Sequence, residues 1–229
     1  MITPHLPAGI RDERGENHVS RRAIQIGLSV VCIVAAGGLV ARTVSRLRAT
    51  KAEDLLRSLS QSDLNKMSFL DLAALQRKFG GKSANDNSCT SAICDFEFHV
   101  NNRPLHLLRW APLTELNVTI QLRQNHVSYA SVSMFAYSKA DRAHGVGAWT
   151  QVFPTADPEM PPFSLAYKHG STYRWEAVAQ LRPGATLEER TLAFAYDTSC
   201  MYRWKGCNDS GEIVPSWWKR EPPHSANVH

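Results

Sequence analysis

The stretch "CTSAICDFEFHV", residues 89–100, joins a close pair of cysteines to a strict alternation of apolar and polar residues. From Cys94 onward the apolar side chains recur at every second position, and Asp95, Glu97 and His99 lie between them. This period of two is typical of a β-strand, because successive side chains on a strand point to opposite faces. The stretch therefore predicts a half-buried strand directly after two cysteines.

Four more strand-like segments follow along the chain, and one of them, at 127–138, is apolar or small on both faces, as a central strand would be. The alternation is clearest in "LNVTIQLR" at 116–123, and the other three segments are "VSYASVSMFAYS" at 127–138, "VGAWTQVF" at 146–153 and "YRWEAVAQL" at 173–181. Polar residues on one side of these segments favour an antiparallel sheet with one face in water. The run "RTLAFAYDTSC" at 190–200 follows a capping-box pattern and fits either a helix or a strand.

A helical region precedes the strands. Ser68 and Asp71 form a near capping box, apolar residues follow at helical spacing, and Gly80 stops the pattern. We predict a helical stalk or helix pair over residues 42–82 and a β-rich domain over residues 83–220. Helices placed before strands favour an α+β fold. The predicted sheet is antiparallel, has about five to seven strands and packs with one or two helices.

The segment "AIQIGLSVVCIVAAGGLVA", residues 23–41, contains no charged residue and has arginines on both sides. At about 1.5 Å per residue it nearly matches the thickness of a bilayer core. It predicts a transmembrane helix, and a buried core helix and a cleaved signal peptide are the alternatives. Gly37 and Ala41 are small residues four positions apart, which favours a homodimer through this helix.

The remaining cysteines form two local pairs, Cys89 with Cys94 and Cys200 with Cys207. Zinc sites prefer shorter spacings, the redox motif C-x-x-C is absent, and unpaired buried thiols are the third alternative. We predict two local disulfides, which form in an oxidising compartment. Arginine bias does not orient the helix, so the cysteines decide the topology: a disordered cytoplasmic tail at 1–22, an extracytoplasmic domain, and a flexible tail at 221–229.

The formal charge of +5 is confined to the N-terminal part of the chain. Lys and Arg outnumber Asp and Glu by 8 to 3 in residues 1–51, whereas residues 52–229 carry 18 of each. A nucleic-acid module carries its basic residues on the folded domain. The distribution therefore argues against a nucleic-acid partner, and it leaves the bilayer and an envelope protein or surface component as expected partners.

Asp95, Glu97 and His99 are the most suggestive titratable residues, because they share one strand face. They could bind a metal or exchange protons, but a solvated sheet face explains them equally well and is the preferred interpretation. The other domain histidines lack metal-ligand spacing, and they are His106, His126, His144, His169 and His224. No nucleophile elbow, phosphate loop or dinucleotide motif is present, so we predict neither a cofactor nor a metal.

The absence of a catalytic motif favours a non-enzymatic binding module on a membrane tether. A membrane-anchored enzyme of hydrolase type is the alternative. A deep pocket that gathers Asp95, Glu97 or His99 with another histidine would favour the enzyme, and a shallow apolar groove would favour binding. Trp217 and Trp218 either touch a headgroup layer or, as we prefer, dock the C-terminal tail onto the domain.

Overall fold

The computed structural model describes residues 14–83, 89–137, 145–168 and 175–219. The chain divides into two compact units, Met1–Val40 and Ala41–His229. Helix α1 (Arg14–Gln61) begins in the first unit and continues into the second. The second unit carries every strand and every other helix of the described residues. Residues 1–13 of the predicted N-terminal tail and the whole predicted tail at 221–229 lie outside the described residues.

The first unit contains the apolar part of α1. The large apolar side chains of this segment, among them Ile24, Ile33 and Val40, are exposed. Within the described ranges, α1 is the one helix long and apolar enough to cross a membrane, as an anchor or as a signal sequence would. Residues 14–22, which we predict from the sequence to be part of a cytoplasmic tail, form the first turns of the helix.

The C-terminal half of α1 belongs to the core of the second unit. Its buried side chains follow helical spacing on one stripe and include Ala49, Ala52, Leu55 and Leu59. Such a stripe packs against another apolar surface, because exposure to water would be costly. Residues of the region 42–82, which we predict from the sequence to be a helical stalk or helix pair, therefore share one core with the strands.

Helix α2 (Phe69–Phe79) begins and ends where the sequence predicts. The Ser68 side chain accepts a hydrogen bond from the Asp71 backbone N–H, and the Asp71 carboxylate accepts one from the Ser68 backbone N–H. Gly80 has a φ of 63°, the left-handed conformation that ends many helices and that glycine adopts without strain. A short 3₁₀ turn, Leu64–Lys66, links α1 to α2.

The described residues form one seven-stranded sheet in the order β1-β2-β3-β4-β5-β7-β6. Its strands are β1 (Lys82–Ser83), β2 (Ile93–Asn101), β3 (Thr114–Arg123), β4 (His126–Tyr137), β5 (Gly145–Val152), β6 (Phe163–Lys168) and β7 (Trp175–Leu181). All neighbours are antiparallel except β5 and β7, which are parallel. The predicted α+β class with a long N-terminal apolar helix is confirmed.

The parallel pair follows from the proline-containing connection at 153–162. This connection carries the chain past the position next to β5, so that β6 forms the edge of the sheet. The chain then returns antiparallel to β6 and fills the vacant position as β7. A strand that fills such a position runs in the same direction as β5, and a strand period alone does not encode that order.

Strands β3 and β4 are joined by a two-residue hairpin turn. Gln124 and Asn125 have φ values of 53° and 61°, so both are in the left-handed region that a type I′ turn requires. The Asn125 side-chain oxygen also accepts a hydrogen bond from the Phe69 backbone N–H at 3.2 Å. The turn thus fixes the start of α2 as well as the strand register.

The sheet has two chemically different faces. The packed face lies under α1, α2, α4 (Leu187–Ala193) and α5 (Ser210–Ile213), and it presents Phe96, Val118, Ile120, Val132, Ala148 and Ala179. The polar face presents Glu97, His99, Asn117, Thr119, Ser131 and Gln151. The two sets alternate along the strands as predicted from the sequence.

The C-terminal segment closes the packed face. The run 190–200, which fits either a helix or a strand by its sequence, completes α4 and then forms a 3₁₀ turn, Thr198–Met201. Trp217 is buried, and its indole N–H donates a hydrogen bond to the Leu192 carbonyl at 2.7 Å. Trp217 therefore docks the end of the described chain onto the domain, whereas Trp218 stays largely exposed.

Candidate functional site

Asp95, Glu97 and His99 lie on the polar face of β2, as the alternation predicts. The structure does not bring them together. An extended strand rises about 3.3 Å per residue, so Asp95 and His99 are separated by about 13 Å. The Asp95 carboxylate pairs with the Arg123 guanidinium at 2.6 Å, which neutralises this end of the face. His99 belongs to a different group of side chains at the opposite end.

Both ring nitrogens of His99 are engaged by amides. Nδ1 lies 2.5 Å from Asn117 Oδ1, and Nε2 lies 2.8 Å from Asn101 Nδ2. Because the amide oxygen accepts and the amide nitrogen donates, this arrangement fits a neutral imidazole with its proton on Nδ1. The Glu115 carboxylate lies 3.8 Å from Nε2, so it can pair with the ring when the second nitrogen is protonated.

Asn101 connects this histidine to two other elements. Its side-chain oxygen accepts hydrogen bonds from Arg48 of α1 at 3.1 Å and from the Arg103 backbone N–H at 3.2 Å. Helix α3 (Arg103–Leu107) begins immediately after it. The end of β2, the core half of α1 and the start of α3 are therefore fixed to one another at Asn101.

The segment 102–113, named the α3 loop from here on, is held by a buried amide. The Asn102 side chain donates to the Pro112 carbonyl at 2.9 Å and accepts from the Thr114 backbone N–H at 2.8 Å. Leu105 is buried against Ala41 and Ala111, and Arg109 has a φ of 58° that turns the chain back toward β3. A buried side chain that satisfies two backbone groups in this way fixes the shape of a loop.

The α3 loop and the end of the polar face enclose a cleft of about 810 Å³. Its charged and polar lining is predominantly basic and consists of His99, Asn101, Arg103, His106, Arg109 and Glu115. In the part of the chain that the structure describes, neither the Arg103 nor the Arg109 guanidinium lies within ion-pair distance of a carboxylate. Both guanidinium groups therefore remain available to an anionic group in the cleft.

Strand alternation points to His99 alone of this lining, and neither His106 nor the two arginines are predicted as site residues. The signal was present in "NNRPLHLLRWAP", residues 101–112, where basic residues recur every third position at 103, 106 and 109. Strand alternation does not reveal it, because these residues lie in a loop that only the fold brings against β2 and β3.

Within the described ranges, neither metal-ligating side chains nor shifted pKa values indicate a second functional site. There, no group of three or more His, Cys, Asp or Glu side chains is placed to hold a metal ion. Burial raises the pKa of Tyr196 well above its ordinary value, and this residue lies under the packed face, away from the cleft. His144, His169 and His224, which were considered from the sequence, lie outside the described residues.

The cysteines lie in two local pairs at disulfide-bonding distance, Cys89 with Cys94 and Cys200 with Cys207. The Cα atoms are 4.6 Å and 5.2 Å apart, within the range that disulfides require. Cys94 is the second residue of β2 and lies on the packed face, and Cys200 is buried in the 3₁₀ turn. This is a disulfide-bonded β domain, and Cys32 is the free cysteine of the described residues.

Comparison of the chain with protein-family models, with curated proteins and with solved structures finds no significant match. The site must therefore be interpreted from its own geometry and charge.

Proposed function

We propose that the chain is a single-pass membrane protein whose extracytoplasmic domain is a binding module for an anionic ligand. The observation that carries this proposal is the cleft beside the α3 loop, in which Arg103 and Arg109 face a shared volume with His99 and His106. A roomy cleft lined by guanidinium groups suits a phosphate or carboxylate of an envelope component. The role of residues 23–41 in this proposal is to tether the domain to the bilayer.

The topology follows from the cysteines. Disulfides persist outside the reducing cytoplasm, so residues 42–229 would lie outside and residues 1–22 inside. Non-reducing peptide mapping of protein from its native compartment should recover the bonds Cys89–Cys94 and Cys200–Cys207. Four free thiols in that protein would remove the reason for this orientation, and a cytoplasm-only reporter active after His229 would reverse it.

Binding can be tested by ligand-induced thermal stabilisation of the full chain in nanodiscs. A ligand that binds only the folded state raises the Tm in a saturable way. The probes are inorganic phosphate, inorganic pyrophosphate and a dicarboxylate. Stabilisation should disappear in an Arg103→Gln/Arg109→Gln variant and persist in an Arg77→Gln/Lys78→Gln control, whose residues lie exposed on α2. Equal stabilisation of both variants would place anion binding elsewhere.

An extracytoplasmic hydrolase is the second candidate, because the cleft gathers His99 with His106 and the Glu115 carboxylate. Histidine and carboxylate side chains in one cleft can transfer protons. Binding is preferred because both nitrogens of His99 are already engaged by amides. Turnover of chromogenic phosphate or carboxylic esters by the full chain, lost in His106→Gln, would favour the enzyme, whereas absence of turnover with intact anion binding would favour the module.

A further inference from the structure

One part of the second unit exposes large apolar side chains next to arginines. Leu107 is 69% exposed, Leu108 is 41% exposed and Trp204 is 40% exposed. Arg103 and Arg109 flank the two leucines in the sequence and are themselves exposed. Leucine and tryptophan at such exposure are unfavourable in water, and together with arginine they form the composition that favours a membrane–water interface.

Within the second unit, the α3 loop and Trp204 make contacts with the part of α1 that begins at Ala41. Ala41 is buried against Leu105 and Ala111, and Trp110 packs on the same cluster. The Arg42 guanidinium lies 5.4 Å from the centre of the Trp204 ring, and the rings of Trp110 and Trp204 are 5.1 Å apart. The aromatic pair and the α3 loop therefore lie around Ala41 and Arg42.

Chain connectivity relates this surface to the bilayer. Ala41 is the last residue of the charge-free segment 23–41, and Arg42 is the first charged residue after it. Leu107 and Leu108 lie in the sequence between Leu105 and Trp110, and both of those residues pack on the Ala41 cluster. With about 3.8 Å between consecutive Cα atoms, each leucine is no more than about 8 Å along the chain from that cluster.

We infer that Leu107, Leu108 and Trp204 form a second membrane contact, which seats the extracytoplasmic domain on the lipid surface. The occupant of this surface is the headgroup and upper acyl region of the bilayer. The leucines enter the acyl boundary, the tryptophan lies at the headgroup level, and Arg42 and the exposed Lys205, which follows Trp204 in the sequence, face lipid phosphates. The inference rests on the proposed membrane anchor, and it would place the mouth of the cleft at the lipid surface.

The burial of Ala41 bears on the predicted homodimer. A small residue promotes helix pairing when its surface is available to a second helix. Ala41 is instead covered by Leu105 and Ala111 of its own chain. Of the two small residues, Ala41 is therefore not available to a second helix. The adjacent surface of Leu107, Leu108 and Trp204 is better explained by contact with lipid.

The test uses the full chain in vesicles of phosphatidylcholine and phosphatidylglycerol whose acyl chains are brominated close to the headgroup. Bromine quenches tryptophan emission on contact. We expect quenching in the wild-type chain, loss of most of it in Leu107→Asp/Leu108→Asp, and a reduction in Trp204→Phe. The control Leu70→Asp/Leu187→Asp changes two exposed leucines of α2 and α4, and it should be quenched like the wild type.

Two checks distinguish failure of the proposed membrane anchor from failure of the lipid contact. Resistance to an alkaline carbonate wash reports the anchor alone, so a wild-type chain that is washed off contradicts the proposed anchor and the lipid contact together. A chain that resists the wash but is not quenched, or a Leu107→Asp/Leu108→Asp variant quenched as strongly as the control, overturns the lipid contact only. If the aspartate variant is unfolded by circular dichroism, Leu107→Ser/Leu108→Ser replaces it with the same expected loss of quenching.

Discussion

The two faces of the sheet are made by the same strands, yet they differ in what holds their side chains in place. On the packed face, apolar side chains are buried under helices, and a polar group such as Thr150 occurs only within a hydrogen-bond network. On the polar face, ion pairs and amide contacts organise the surface, and the apolar residues Phe135 and Trp149 meet edge to face at 5.3 Å. Thr150 on the packed face and the Phe135–Trp149 pair on the polar face thus each have a partner of their own chemistry.

The two faces should differ most in the loss of unfolding free energy caused by alanine at Ile120 and at its neighbour Gln121. Ile120 is fully buried on the packed face, and Gln121 lies on the polar face opposite Tyr129. Ile120→Ala should lower the free energy of unfolding by about 2–4 kcal/mol, because it leaves a cavity in the core. Gln121→Ala should change it by no more than about 0.5 kcal/mol. Urea unfolding of both variants measures this contrast, and equal losses would contradict the assignment of the faces.

The next largest loss of unfolding free energy is expected at Tyr196, whose hydroxyl belongs to the polar network on the packed face. The Tyr196 hydroxyl donates to the Val132 carbonyl at 3.1 Å and lies 2.9 Å from the Thr150 hydroxyl. Tyr196→Phe should cost about 1–3 kcal/mol, since it leaves buried polar groups without a partner. Guanidinium unfolding at neutral pH checks the loss, and Tyr129→Phe on the polar face is the matched control.

Burial also makes this effect depend on pH. Because burial raises the pKa of Tyr196, the folded state keeps the phenol protonated where the unfolded chain ionises. The stabilisation is complete below the ordinary tyrosine pKa and declines as the pH rises from there toward the folded-state pKa. The gap between wild type and Tyr196→Phe should therefore narrow in alkaline solution, and a gap that widens would contradict the burial of the hydroxyl.

A smaller loss of unfolding free energy is expected at Gly147, which lies beside the apolar Phe135 ring on the polar face. A β-carbon at Gly147 would overlap the Phe135 ring, which lies across this glycine from the neighbouring strand. Gly147→Ala should cost about 1 kcal/mol, at the low end of overpacking because the ring can shift. Thermal unfolding measures it, and Phe135→Leu in the same chain should relieve the added cost. An unchanged cost in the double variant would show that the ring is not the obstacle.

The smallest effect is expected outside both faces, at the exposed start of α2. Hydrogen bonds from the Ser68 backbone N–H and hydroxyl lower the pKa of Asp71. A carboxyl with a depressed folded-state pKa stabilises the fold above its unfolded pKa, and this contribution is lost as the pH falls through the folded pKa. Asp71→Asn should therefore lower the Tm slightly at neutral pH and not in acid. A difference that is constant over that range would mean that the charge plays no part.

The strands and their faces could be predicted from the sequence because they depend on local periodicity. The alternation from Cys94 to Val100 and from Leu116 to Leu122 reports burial at each position without knowledge of the neighbouring strand. The start of α2 at Ser68 and the apolar segment 23–41 are equally local, since capping and bilayer length act over short stretches of chain. These features are sufficient to predict the α+β class, and the short spacing within each cysteine pair predicts the local disulfides.

Tertiary structure alone decided the partners of these elements. The Leu and Ala stripe of α1 fits a stalk or a core equally well by sequence, and only its packing on the sheet makes it core. The position of β7 beside β5 depends on where the connection at 153–162 leads. The cleft combines His99 of β2, Glu115 of β3 and the arginines of the α3 loop, and local patterns do not encode contacts between separate elements. The composition of each segment determined what it would bury, whereas the fold determined which charged side chains would share one volume.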